Sequence, residues 1–327
     1  MSKALISTYD QDRQYIDDFR KGNIELGLDC GFIGEYGLDS YFRFKRGNFV
    51  GVNGYANLGK TTAILYLWVL YAKKHNLKFL VYANENKTAD IRMSLCEFYT
   101  SKMVGESLLQ YREKPAILSD AELYRANKWV DEHFLLLYTE DGSALSYKDV
   151  FETAYRSKGI DGLLLDPYNG LKVRTDYCEK TKRDFSKMSE HKYLHEFCND
   201  SRVFIRATNT AIWVNAHPHT GSARAKTEDG LSVAPTEHDT YGGSILANRV
   251  DDFLTIHRNK NDPENYMWTE VHVRKIKDSR TGGRPTPQFA PFKMKFKGVG
   301  FEDEAGMNPM YKIDNSKYTY EPTDLLE

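Results

Sequence analysis

Along most of this 327-residue chain, apolar segments of strand length alternate with segments patterned like helices. Runs rich in Val, Ile, Leu and aromatic residues predict strands near 49–52, 78–83 ("KFLVYA"), 134–139 ("FLLLYT"), 161–166 ("DGLLLD"), 211–216 ("AIWVNA"), 252–257 ("DFLTIH") and 268–276. Helical spacing of apolar positions predicts helices over 61–75, 89–104, 120–134 and 184–199. The third of these opens with "SDAE", in which Ser119 and Glu122 can satisfy each other's backbone donors as a capping box. This alternation predicts an α/β fold with a mostly parallel central sheet. Ahead of it, "YDQDRQYIDDFR" sets Tyr9, Tyr15, Ile16 and Phe19 among charges, the pattern of a short amphipathic helix over 9–20. Gly22, Gly27, Gly31, Gly34 and Gly37 then mark a loop. Residues 217–243 form a long polar stretch, and such a loop in a compact domain is usually functional or disordered. The sequence shows neither an internal repeat nor a low-complexity tract.

Composition narrows the picture. A hydrophobic content of 41% at this length supports a sizeable core. Lys and Arg number 45 against 46 Asp and Glu, so no global basic field draws the chain onto nucleic acid or a membrane, and any such contact is local. Cys30, Cys96, Cys178 and Cys198 lack a C-x-x-C pair and histidines at zinc spacing, which fits reduced thiols in the cytoplasm. The N-terminal residues do not read as a secretory signal, and the longest apolar run, "AILYLWVLYA", is about half of what a membrane span needs.

Candidate chemistry begins at "FVGVNGYANLGKTT", which has the spacing G-x-x-x-x-G-K-[ST] from Gly54 to Thr61. Such a match arises by chance in roughly one chain in a hundred of this length. Its place between a strand and a helix is what phosphate binding requires. Gly54 and Gly59 let the backbone wrap phosphate oxygens, Lys60 reaches the β and γ phosphates, and the Thr61 hydroxyl joins a Mg²⁺ shell. Asn57 and Thr62 line the same loop.

Three strand ends supply further candidates. Asp166, in "GLLLDPYNG", could simply close a strand before Pro167, but after a phosphate loop it is the expected Mg²⁺ carboxylate. Glu85, just past "FLVYA", is the candidate base for an attacking water, the alternative being an exposed loop carboxylate. His217, ending "IWVNAH", is a candidate γ-phosphate contact, although a lone histidine at a strand end is more often structural.

These four elements in this order resemble the superfamily-4 hexameric replicative helicases of the DnaB and Twinkle group, built on a RecA-like P-loop core. "AHP" is nearest to the Twinkle branch, and "GLDSYFRFKRGNF" and "GGSILANRVDDFLTIHR" look like flanking family segments. The resemblance spans roughly 35–298, with 1–34 as an arm and linker helix and 299–327 as a tail. It implies that Lys60, Thr61, Glu85, Asp166 and His217 act as described, and that Arg258 flanks the adenine of ATP. It further implies ATP hydrolysis with Mg²⁺, a ring of six subunits, single-stranded DNA as track, and duplex unwinding during replication.

Relatives carry K-x-R on a late strand that reaches a neighbour's site, whereas this chain reads "VRKIKDSRTGG". Lys275 and Lys277 fit the spacing with lysine in the arginine place, so the trans-acting cation is Lys277, or Arg280 three residues later. Two mixed-charge loops are the expected DNA contacts: one carries Lys172, Arg174, Lys180, Lys182 and Arg183, the other Arg224 and Lys226. Only about 40 residues precede the core, so priming is expected in a separate primase chain, with a polymerase as another partner and a phage-like source by analogy. The rival readings are a filament-forming strand-exchange ATPase and a nucleotide-switched loader that does not hydrolyse.

Overall fold

The computed structural model describes residues 6–106, 115–173, 177–178, 183–184, 187–219, 221, 225–227, 230–240 and 244–313. Strands β1 (Phe49–Asn53), β2 (Phe79–Ala83), β3 (Phe134–Leu137), β4 (Gly162–Asp166), β7 (Ala211–Ala216) and β8 (Asp252–His257) lie parallel in the order β3-β2-β4-β7-β1-β8. Antiparallel β9 (Trp268–Ile276), β10 (Phe292–Phe296) and β11 (Phe301–Asp303) extend the β8 edge into a nine-stranded sheet. A small ribbon, β5 (Tyr177–Cys178) with β6 (Arg183–Asp184), stands apart.

Side-chain alternation divides the strands between two cores. Val50, Val52, Val81, Leu164, Trp213, Leu254 and Ile256 pack on one face, together with helices α3 (Lys60–His75), α4 (Thr88–Thr100) and α5 (Asp120–His133). Phe49, Leu80, Leu163, Leu165, Ile212, Val214 and Phe253 point to the other face, under α6 (Tyr147–Ser157), α7 (Glu190–Thr208) and α8 (Ser244–Arg249). Because the parallel strands are covered on both faces, they read as continuous apolar runs, and α3 is buried along nearly its whole length.

Most predicted elements stand within a residue or two of their expected places, and α1 (Tyr9–Arg20) and the Ser119–Glu122 capping box are as read. The fourth predicted helix is displaced. Ser189 caps α7 by accepting from the Lys192 backbone N–H, and Phe204 and Ile205 prolong its apolar face until Asn209 turns left-handed. Helix α4 stops at Thr100 because Ser101 adopts φ 55°, and β3 stops at Leu137. Helix α6, capped by a Ser146–Asp149 box, and the short α2 (Leu38–Tyr41) were not anticipated.

The expected boundaries at 34 and 298 both fall inside the packed domain. Leu28 and Phe44 exchange backbone hydrogen bonds, and Cys30 and Phe32 are fully buried. At the other end β11 belongs to the sheet, Met310 is buried, and the Tyr66 hydroxyl donates to Asn308 Oδ1 at 2.7 Å. Helix α1 alone behaves as an arm, with no buried residue and with Tyr9, Tyr15, Ile16 and Phe19 exposed.

Candidate nucleotide site

The phosphate loop turns at the carboxyl end of β1, the central strand, where ligands gather in parallel α/β sheets. Gly54 is required by packing as well as by its φ of 153°, because a Cβ there would lie 2.1 Å from the Ile256 carbonyl oxygen on β8. Gly59, at φ 82°, is the left-handed residue from which α3 starts. Asn57 also has positive φ, 60°, which asparagine tolerates better than most residues. Lys60 is buried, and its amine donates to the Tyr55 carbonyl at 2.8 Å, inside the curve of the loop. Burial pulls its pKa down to about 8, against the opposing charges of Asp166 and Glu85.

Asp166 ends β4 beside this loop. Thr61 Oγ1 donates to its Oδ2 at 2.6 Å, and the Asn215 amide of β7 donates to its Oδ1. Burial raises the carboxyl's pKa, while the bonds from Thr61 and Asn215 and the charge of Lys60 oppose the rise. A hydroxyl and a carboxylate in contact at a loop that wraps phosphate are the hard oxygen donors that Mg²⁺ prefers, so the residues present fit that ion. Among the described residues there is no group of three or more His, Cys, Asp or Glu able to hold a metal unaided. An ion here would therefore take its remaining ligands from nucleotide and water.

Glu85 and His217 face each other at the ends of β2 and β7, with Oε2 and Nε2 4.0 Å apart. Glu85 is 60% exposed and His217 27%, so water reaches the gap between them. Burial, then the Lys60 charge, lowers the His217 pKa and keeps the ring neutral near pH 7. Thr62 is half-buried on α3 beside Thr61. Arg258 lies just past β8 with a buried Nε that has no hydrogen-bond partner among the described residues. Lys60, Thr61, Asp166, Glu85 and His217 thus converge, as their strand order requires.

One part of the site was not foreseen. Asn53, the last residue of β1, is fully buried and donates to the Thr236 carbonyl at 2.7 Å and to Thr240 Oγ1 at 3.0 Å. Its own Oδ1 accepts from Thr255 of β8 at 2.7 Å, and Arg274 of β9 donates to the Pro235 carbonyl. Position 53, immediately before the phosphate loop, is thereby tied to the far end of the 217–243 stretch. The readable signal is a polar residue at the end of a wholly buried strand: Asn53, Asn215 and Thr255 each break an apolar run.

The late-strand cations separate cleanly. Lys275 donates to the carbonyls of Ala247 and Val250, both at 2.8 Å, and so closes the end of α8. Lys277 pairs with Asp251 at 3.1 Å and is 64% exposed. Arg280 is 74% exposed, makes two bonds to Asp278, and places its guanidinium 6.0 Å from the Phe19 ring centroid of α1. Of the expected DNA contacts, Lys172 is exposed after β4, and the exposed Lys226 donates to Ser232 Oγ at 2.8 Å. Arg174, Lys180, Lys182 and Arg224 lie outside the described residues, as does the side chain of Arg183.

The chain is 26% identical over 278 residues to the Twinkle homolog protein, chloroplastic/mitochondrial, of Arabidopsis thaliana. That match covers 84% of this chain, which spans only 36% of the relative's length. Among solved structures, an ATPase domain superposes with a TM-score of 0.69 at 14% identity, covering 90% of this chain and 98% of that one. A DnaB-like replicative helicase, solved in a study of its interactions with primase, gives the same TM-score, identity and coverage of this chain, over 68% of its own length. The chain shares the RecA-like ATPase fold of these solved structures. No family model matches it. No helix among the described residues is long and apolar enough to cross a membrane.

Proposed function

We propose that this protein is an ATP-driven DNA helicase motor that works as a ring on single-stranded DNA during replication. The observation that carries the reading is the convergence of Lys60, Thr61 and Asp166 with the water-accessible Glu85–His217 pair at the carboxyl edge of adjacent parallel strands. The likeness to the Twinkle homolog supports it.

In this reading the loop from Gly54 to Thr61 cradles the triphosphate, and Lys60 lies against its β and γ groups. Arg258, with its unpaired Nε, flanks the base. Thr61 and Asp166 would hold Mg²⁺, which when bound would neutralise charge developing on the phosphates. Glu85 accepts a proton as water attacks the γ phosphorus and the bond to the β–γ bridging oxygen breaks. His217, kept neutral, donates from one ring nitrogen to a γ oxygen.

The missing positive charge comes from the neighbouring subunit. Lys275 is committed to α8; Lys277 and Arg280 each pair with one carboxylate, and Arg280, the more exposed of the two and the one with a planar fork, takes that role. The exposed apolar side of α1 docks on the next subunit and closes the ring. Lys172 and Lys226, with Arg174 and Arg224, contact DNA phosphates. A separate primase, and a polymerase, complete the set of partners; the DnaB-like neighbour interacts with primase.

The test is ATP turnover with and without single-stranded DNA, together with unwinding of a forked duplex. DNA-stimulated turnover with unwinding is expected. Turnover without unwinding, on filaments seen by electron microscopy, would instead support a strand-exchange enzyme, and binding without turnover a switch.

A further inference from the structure

At the end of α3 opposite the phosphate loop lies a buried lysine with no counter-charge among the described residues. Lys73 is 6% exposed and makes no hydrogen bond or ion pair with any described residue; its ammonium sits over the Tyr99 ring, 5.2 Å from the centroid. Burial alone pulls its pKa down to about 8. A buried ammonium without an anionic partner is destabilising, so a chain that keeps one at the wall of a cavity retains a group suited to binding an anion.

The cavity is of ligand size, about 390 Å³, and lies between the ends of α3 and α4, the first turns of α5 and the segment at Met310. Lys102 and Arg125 also line it, and the one carboxylate in its described wall, Glu122, is engaged by Lys102. Three cations against one carboxylate leave two positive charges uncompensated. A carboxylate ligand would neutralise one of them, whereas a phosphate monoester carries about −1.5 to −2 at pH 7. Tyr99, stacked on Trp129 with ring centroids 4.0 Å apart, supplies a rigid apolar wall for the organic part of a ligand. Lys73 stands thirteen helical steps beyond Lys60, about 20 Å along α3, so this is not the nucleotide site.

We propose that Lys73, Lys102 and Arg125 form a second anion site, remote from the phosphate loop, that takes a small organic phosphate monoester with its organic group against Tyr99. The site does not depend on the helicase reading, because none of its residues belongs to the nucleotide site.

The experiment measures acetylation of individual lysines of the full chain by peptide mass spectrometry, with phenyl phosphate as probe and benzoate as its carboxylate counterpart. Phenyl phosphate at ten times its dissociation constant slows Lys73 acetylation about tenfold and leaves Lys74 unchanged. Benzoate protects much less. Arg125→Ala, an exposed substitution, keeps the fold and ATP turnover but loses most of the protection. Lys73 reacting at one rate with and without millimolar phenyl phosphate would overturn the site. Equal protection by benzoate would overturn the phosphate class, and full protection in Arg125→Ala would overturn the residue set.

Discussion

Around Lys60 the chain supplies its own partners: Thr61, Asp166, Asn215 and the Tyr55 carbonyl interlock in a buried cluster. Around Arg280 the described residues supply little, since among them Asp278 holds that guanidinium, which stands in solvent beside the exposed Phe19. The contrast separates two tasks. Binding a triphosphate is completed within one subunit, where desolvated donors are strong. On the proposed reading, stabilising the transition state is left to Arg280 of a neighbouring subunit, and hydrolysis would then depend on assembly.

The sharpest break of that comparison is at Arg280. Arg280→Ala is expected to lower ATP turnover by about 10³ to 10⁵, the range for a trans-acting arginine, with nucleotide binding retained. Lys277→Ala costs less, because its partner Asp251 keeps its bonds to Arg202 and to the Phe49 backbone N–H. Mixing Lys60→Ala with Arg280→Ala subunits restores some intact boundaries, so turnover in mixed rings exceeds that of either variant alone. No recovery in rings shown by native mass spectrometry to be mixed would remove Arg280 from the neighbour's site.

Next in size is the cis half. Glu85→Gln keeps ATP binding and lowers turnover by roughly 10² to 10⁴, the span of general-base catalysis, whereas Lys60→Ala weakens binding itself. The two are told apart by equilibrium nucleotide titration beside single-turnover hydrolysis. Glu85→Gln turning over at the wild-type rate would return that carboxylate to ordinary surface.

What could be read in advance follows the same division. Strand and helix periods placed Lys60, Thr61, Glu85, Asp166 and His217 at one edge of a parallel sheet, because each sits at a strand end or in the loop after one. The network at Asn53 escaped, since its partners Thr236 and Thr240 lie more than 180 residues away and no local pattern pairs them. Helix α6 opens with a Ser146–Asp149 box, a short local signal with no long apolar period behind it. Cys30, Phe32, Phe301 and Met310, beyond the expected domain ends, are buried by tertiary packing, which periodicity does not report.

A smaller effect is expected at Lys73. Its folded pKa is near 8 against an ordinary 10.5, so between those values the unfolded chain binds more protons and this group's contribution to stability rises with pH. Below pH 8 the full cost of burying the charge is present. Lys73→Met therefore raises stability at pH 7 by about 1–3 kcal/mol, and the gain fades toward pH 10.5. Urea unfolding of both proteins at pH 7 and pH 10 checks this, and a loss of stability at pH 7 would show the ammonium to be compensated.

The smallest expected change is at Lys226, on the exposed side of the comparison. Its amine donates to Ser232 Oγ across a short turn, a neutral contact that holds the charge outward without cancelling it. On the proposed reading, Lys226 would add one phosphate contact to single-stranded DNA and release about 0.7 of a counterion. Lys226→Gln keeps a donor for Ser232 and removes only the charge. The slope of log affinity against log salt should flatten by about 0.7, with sequence preference and DNA-free turnover unchanged. If the slope stays at the wild-type value while affinity falls, Lys226 acts by shaping its turn and not by touching phosphate. If neither changes, the loop beside Asn53 and Thr240 does not reach the strand through this residue.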